Sequence, residues 1–325
     1  MILTLVAAAA VWALVAGVCL FVGSTGNNWP TDEQLAYRLE RVLTASLIGA
    51  ALAASGVVYQ AILRNPLADP YLLGVSSGSA LFAYIWRQPM AAAMLAAVGL
   101  AQTAVSQQVF AFAGALAAVT IVFVLSMRRG RLEPLTLLLV GVIVNVIAGA
   151  LFLLINILAR DTTTQMTFLV GSIQDVSDRQ LWTVAVLVAI GWVLLMLMSA
   201  PLNVALLSEG EAASLGVRIH RLRWAALVTA SLITASAVAI SGPIGFVGLI
   251  CPHLSRLIVG NDQRRLLPVA TAAGAALLAL ADGIARMLAQ GRFAATVLPV
   301  GILTALMGGP FFLLLLYQSR KRREL

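Results

Sequence analysis

The sequence predicts an all-α polytopic membrane protein of about ten transmembrane helices, with an inverted internal repeat and one long polar cytoplasmic loop. Three observations point there. First, 61% of the 325 residues are hydrophobic and only 10% are charged, with a mean hydropathy of +0.98. A soluble domain carries about 25% charged residues, so this chain could not cover a water-facing surface, and lipid is its main solvent. Second, the charge-free runs are long enough to cross a bilayer. Third, the basic residues cluster between those runs, which explains the net charge of +8 by the positive-inside pattern rather than by nucleic acid. A soluble enzyme, a nucleic-acid binder and a disulfide scaffold are excluded. Cys19 and Cys251 both lie in apolar runs and read as small buried hydrophobes, not as a disulfide or metal pair.

The charge-free runs are 1–31, 42–63, 70–86, 88–127, 134–159, 180–208, 224–255, 266–281 and 293–319. A spanning helix needs roughly 17–25 apolar residues. The first run lacks the basic start of a signal peptide and is followed by no polar mature domain, so 1–24 reads as a retained first span. The run 88–127 has the length for two helices, but Gln102, Gln107 and Gln108 interrupt it. The run 224–255 is broken at Gly242-Pro243 and again at Pro252, which divides it into two short spans. Ten spans put both termini on one side. With the Arg320-Lys321-Arg322-Arg323 tail inside, fourteen of the 21 basic residues face the cytoplasm and seven face outward, so both termini are expected to be cytoplasmic.

Residues 51–74 resemble 237–260 at an offset of 186, with seven identities in 24 positions, among them Ser55-Gly56 with Ser241-Gly242, Pro66 with Pro252, and Gly74 with Gly260. In the ten-span topology the first copy enters from outside and the second from inside. The repeat is therefore inverted, with halves of about 42–159 and 224–319 inside a single permease-like domain of 1–325. Inverted repeats with Gly/Pro-broken helices mark transporters.

Four stretches together carry a family resemblance. They are Arg64-Asn65-Pro66-Leu67-Ala68-Asp69-Pro70 followed by Leu73-Gly74-Val75-Ser76-Ser77-Gly78; Glu209-Gly210-Glu211-Ala212-Ala213-Ser214-Leu215-Gly216-Val217; Gly242-Pro243-Ile244-Gly245-Phe246-Val247-Gly248-Leu249 with Pro252-His253-Leu254; and Leu298-Pro299-Val300-Gly301 with Gly308-Gly309-Pro310-Phe311-Phe312. Their order and spacing resemble the FecCD-type permease family, the membrane subunits of importers for iron chelates, haem and cobalamin. The resemblance implies a bacterial inner-membrane location and a homodimer with a central pathway. It also implies two cytoplasmic ATP-binding-cassette subunits and an extracytoplasmic substrate-binding protein. One departure is the segment around 90–106, which is longer than the shorter family members need.

The chain itself carries no ATP site, since its one lysine, Lys321, follows no glycine loop; it is expected to be a transport subunit and not an enzyme. No cofactor or metal is expected. Residues 203–223 form the longest polar cytoplasmic segment. Within it, Glu209, Glu211, Ala212, Ala213, Leu215, Gly216 and Val217 form a short amphipathic stretch whose small side chains suit a partner's groove, and Gly216 can stop the helix. This stretch is similar to the coupling loop that importers insert into their ATPases. By the same resemblance Asn65, Pro66 and Leu67 form a hairpin that narrows the cytoplasmic mouth, and Arg38, Arg41 and Arg286 dock the binding protein. Asp282, four residues before Arg286, offers the alternative of an internal ion pair. Gly242, Pro243 and Gly245 read as a hinge. His253 reads as a packed or capping residue, because a lone histidine makes a poor metal site.

The expected function is transport of a ferric siderophore, haem or cobalamin from a binding protein into the cytoplasm by alternating access. The rival is an ion- or proton-coupled secondary transporter, which would need an acidic or histidine relay inside the membrane; Asp282 is the one clear intramembrane carboxylate. An embedded enzyme would need a clustered nucleophile, base or metal set, and the sequence has none.

Overall fold

The structure, a computed structural model, describes residues 2–21, 30–71, 73–97, 99, 107–128, 131–132, 134–159, 170–173, 176–206, 219–289 and 298–321. Among these residues there are eleven helices: α1 (Ile2–Phe21), α2 (Asp32–Leu63), α3 (Val75–Arg87), α4 (Pro89–Ala97), α5 (Gln107–Ser126), α6 (Pro134–Ala159), α7 (Asp178–Ala205), α8 (Ile219–Ser241), α9 (Val247–Val259), α10 (Gln263–Ala289) and α11 (Val300–Lys321). A two-residue antiparallel ladder, β1 (Met127–Arg128) with β2 (Arg131–Leu132), turns the chain between α5 and α6. Seven helices are long and apolar enough to cross a membrane: α1, α2, α5, α6, α7, α8 and α10. With α11 and the shorter α3 and α9, ten elements cross or enter the bilayer, as the sequence predicts. The run 88–127 resolves into the short α4 and a single long helix from Gln107.

α2 is the central pillar. It opens with a capping box, in which the Thr31 hydroxyl accepts from the Gln34 amide and Gln34 reaches back to the Thr31 amide. From Ala51 to Leu63 every residue is buried, against α10, α8, α9 and α7. Lipid gives helices no hydrophobic reason to associate, so close packing must do it. Here glycines permit the approach: a Cβ on Gly49 or Gly274 would collide with the other's carbonyl oxygen, and a Cβ on Gly56 would collide with the carbonyl of Gly248. Polar groups add to the seam. The Ser55 hydroxyl donates to the Ala230 carbonyl at 3.0 Å, and Tyr59 pairs with Ser231 at 2.8 Å.

The repeat is present in α2–α3 and α8–α9, but its structural register differs from the offset of 186. α3 and α9 are each 13 residues long, and each starts after a left-handed residue, Gly74 (φ 78) or Phe246 (φ 70). That sets Gly74 opposite Phe246. Pro66 then lies in the loop before α3, whereas Pro252 lies inside α9. Pro252 does not break the helix as expected. Its missing amide leaves the Gly248 carbonyl without its helical donor, and the Gln60 side-chain amide on α2 reaches that oxygen at 3.4 Å and the Leu249 oxygen at 3.5 Å. A proline is tolerated where a neighbour replaces its lost bond.

At 13 residues, α3 and α9 are about 20 Å long, short of the roughly 30 Å hydrocarbon core. Each is completed by non-helical chain, including 64–71 and 73–74 before α3 and 242–246 before α9. Their starts meet. The Gly245 Cβ position faces the Tyr71 ring at 3.5 Å, and that of Gly248 faces Pro70 at 2.9 Å. From this junction α3 follows α6 toward Phe152 and Asn156, while α9 runs to the Asn203 end of α7. The two half-helices thus leave in opposite directions.

Candidate translocation and coupling sites

The junction between the half-helices is polar. Asp69 is buried, at 3% exposure. Its Oδ1 accepts from the Tyr71 amide at 2.7 Å, while its Oδ2 is buried without a hydrogen-bond partner. Phe246, the residue before α9, has positive φ, a strained position for a bulky residue. The Phe246 ring occupies the space over Gly308 on α11, so the start of α9 is tied to α11. At the start of α3 the Ser77 hydroxyl donates to the Gly74 carbonyl at 3.1 Å and to Asn145 Oδ1. The Asn145 amide donates to the Tyr71 carbonyl at 2.7 Å. Asn145 thereby pins the non-helical segment against α6.

The hairpin Asn65–Leu67 hangs from the C-terminal end of α2. Arg64 caps α2 in the left-handed conformation (φ 48), and the Asn65 side chain accepts from the Leu67 amide at 3.0 Å, an Asx turn that forms a tight loop before Pro70. Pro66 is exposed, and Asn65 and Leu67 are half-buried. The Arg64 guanidinium turns back and donates twice to the Ala205 carbonyl, at 3.3 and 3.0 Å. Ala205 is the last residue of α7.

A second contact holds the same helix end. Asn203 donates to Asp262 Oδ1 at 2.7 Å and accepts from the Gln263 amide at 2.8 Å. Asp262 also accepts from the Arg264 amide at 3.1 Å. The Asn203 bond and then the Arg264 amide hold its carboxyl below the usual carboxylate range. Together Arg64, Asn203 and Asp262 clamp the end of α7 to the start of the Asn65–Leu67 hairpin on one side and to the α9–α10 turn on the other. Glu209, Glu211, Ala212, Ala213, Leu215, Gly216 and Val217 follow directly, and they lie outside the described residues. The sequence reading missed the clamp, since Asn203 and Asp262 are 59 residues apart and no local pattern joins them.

The three arginines expected to dock a binding protein gather around Asp282. Arg38, Arg41 and Arg286 lie beneath the surface. Asp282 pairs with Arg41 at 3.1 Å and Arg286 at 2.9 Å, with the arginine side chains 9% and 6% exposed and the aspartate 1%. Arg38 is 4% exposed and donates to the Leu20 carbonyl at 3.0 Å. The cluster ties α1, α2 and α10 together. The internal pair offered by the 282/286 spacing is the one that forms.

The hinge residues divide. Gly242 has φ 67 and its amide donates to Val238 at 2.8 Å, so glycine is required there. Gly245 has no positive φ and meets the Tyr71 ring only in ordinary contact. His253 packs edge-on against Phe311, centroids 5.8 Å apart. Both cysteines are buried and unbridged. Among the described residues no group of three or more His, Cys, Asp or Glu side chains converges on a point.

Two half-helices that meet start to start, entered through non-helical chain and embedded among long apolar helices, define a membrane transport permease. The sequence pattern of the FecCD transport family matches residues 1–318, and the chain belongs to that family. It is similar to the cobalamin import system permease protein BtuC of Halobacterium salinarum, with 41% identity over 88% of this chain and 73% of the relative. The hemin transport system permease protein HmuU of Yersinia pestis is 40% identical over 88% and 84%. The molybdate import system permease protein MolB of Haemophilus influenzae is 37% identical over 90% and 83%. A metal-chelate type ABC transporter solved in an inward-facing conformation superposes with a TM-score of 0.78 at 32% identity, covering 97% of this chain and 98% of that one.

Proposed function

We propose that the chain is the membrane permease of an ATP-binding-cassette importer that carries a metal chelate into the cytoplasm by alternating access. It works as a homodimer, with two cytoplasmic ATPases and an extracytoplasmic binding protein, and both its termini are cytoplasmic. The single observation that carries this reading is the clamp at the end of α7. It connects the chain entering the coupling segment both to the Asn65–Leu67 hairpin and to the half-helix α9. Movement of 207–218 by an ATPase would be felt at the hairpin that narrows the cytoplasmic mouth and at the junction where α3 and α9 meet. The cargo is a ferric siderophore, haem or cobalamin. Relatives whose names specify cobalamin and hemin support that class. Gly242 and Pro243 serve as the hinge on the outer side of α9.

A proton-coupled mechanism finds little support. Asp282, the carboxylate it would use, is engaged in ion pairs with Arg41 and Arg286, which is a structural use of the group and not a relay.

Reconstitution in proteoliposomes tests the reading. Uptake of the chelate should require the ATPase, the binding protein and ATP. Uptake driven by a proton or sodium gradient without the ATPase would overturn it. Ala213→Arg, which would force an unpartnered charge into a packed groove, and Gly216→Val should each release the ATPase or separate ATP hydrolysis from uptake. Wild-type co-purification, hydrolysis and uptake in both variants would remove this segment from the coupling role.

A further inference from the structure

α1 packs closely on α10 at its outer end, where the Cys19 thiol donates to the Ala279 carbonyl at 3.4 Å. Toward the cytoplasmic side it diverges from α9 and α10 and leaves a groove of about 340 Å³, lined among others by Ala8 on α1, Ser255 and Ile258 on α9, and Val269, Ala272 and Ala273 on α10. Pockets for small ligands run to roughly 300–1,000 Å³. We propose that this groove binds one acyl chain of an anionic phospholipid of the cytoplasmic leaflet, with Arg264 and Arg265 holding the headgroup phosphate.

Three observations carry the assignment. First, Ser255 breaks the apolar lining. It is 1% exposed, and its hydroxyl has no hydrogen-bond partner. A buried hydroxyl without a partner is costly, and the ester carbonyl at the head of a glycerolipid chain is an acceptor that an alkane-like occupant lacks. Second, Val269, Ala272 and Ala273 share one face of α10, and Arg265 lies four residues before Val269 on that face. Arg264 is its neighbour, and both are exposed. Asp262 Oδ2 stands 3.9 Å from Arg265 Nε in a solvent-exposed pair, and two arginines against one carboxylate leave the rim positive. Basic rims between spanning helices on the cytoplasmic side are suited to anionic lipid headgroups. Third, the groove opens to the bilayer. Leu257 and Ile258 beside it are 74% and 73% exposed, while the neighbouring His253 turns to Phe311 on α11. A lipid reaches the groove without displacing protein.

Native mass spectrometry of the purified full chain, titrated with phosphatidylglycerol and phosphatidylethanolamine of identical acyl chains, tests this. The wild type should retain one phosphatidylglycerol in preference to phosphatidylethanolamine. Arg265→Gln, on the exposed rim, should reduce that preference about five-fold. Ala272→Phe should fill the groove and abolish the retained adduct of either lipid at unchanged elution volume. If that variant does not fold, Ala8→Leu fills the groove from the peripheral helix with the same expected loss. Equal retention of the two lipids by the wild type, an adduct that survives groove filling, or a chain dimer with no lipid that is broken by groove filling would each overturn the proposal.

Discussion

Pro252 removes one amide from α9, and the carbonyl left without its helical donor, that of Gly248, faces Gln60 on α2. Gln60 also accepts from Arg256 at 2.9 Å, so one amide side chain serves both a stranded acceptor and a buried cation. Gln60→Leu should therefore destabilise the protein by about 1–3 kcal/mol, the cost of leaving a buried polar group unsatisfied. Part of that loss should disappear when Pro252→Ala is added, because alanine restores the helical amide; a double-mutant cycle in thermal unfolding measures the coupling, and strict additivity would refute the pairing. Asp282 makes a stronger case. Asp282→Asn leaves Arg41 and Arg286 buried without their counter-charge, which should cost about 3–5 kcal/mol and be read as loss of folded protein from the membrane fraction. At the hinge, Gly242→Ala should cost about 1–2 kcal/mol for its left-handed φ, while Gly245→Ala should be close to neutral in the same melt. The sequence marks both glycines equally, since φ leaves no trace in composition. Likewise it identifies Arg41 and Arg286 as important cations but not their direction, because Asp282 is 241 residues from Arg41.

Helix α7 ends in a clamp whose parts come from three places in the chain, the Arg64 cap of α2, the α9–α10 turn and α7 itself. Asn203→Ala should loosen the clamp without touching the segment an ATPase would grip. The expected outcome is ATP hydrolysis close to wild type with uptake reduced several-fold; unchanged uptake would show that the clamp transmits nothing. The pH dependence has a definite sign. Asp262 is held below its usual value, so its contribution is full above the unfolded carboxylate value of about 3.9 and is lost as pH falls through its lower folded value. Wild-type coupling should hence be flat from about pH 5 to 8 with respect to this group. At this scale the long spans were legible, because lipid demands unbroken apolar runs. The half-helices were less so. The break at Gly242-Pro243 was visible, but Pro252 looked like a second break because the donor that rescues it sits on another helix.

The molecule as a whole contains two similar units of long helix, bend and half-helix, α2–α3 and α8–α9, with α2 the most enclosed of the long helices. The existence of the repeat could be read from the sequence, and its register could not. Identities aligned Ser55-Gly56 with Ser241-Gly242, yet Gly56 serves a helix contact and Gly242 a turn, so like residues were matched across unlike roles. Backbone conformation pairs Gly74 with Phe246 instead, and no substitution table would align glycine with phenylalanine. The burial of α2 has a consequence for how the chain is made. Arg41, Ser55, Tyr59 and Gln60 find their partners 172–241 residues later, on α8, α9 and α10. At roughly 5–20 residues per second of synthesis, α2 waits on the order of 10–50 s beside the ribosome with its polar groups unmet. During that interval the nascent chain depends on the insertion machinery to shelter one helix, and membrane proteases that survey unpaired polar spans have their best opportunity then.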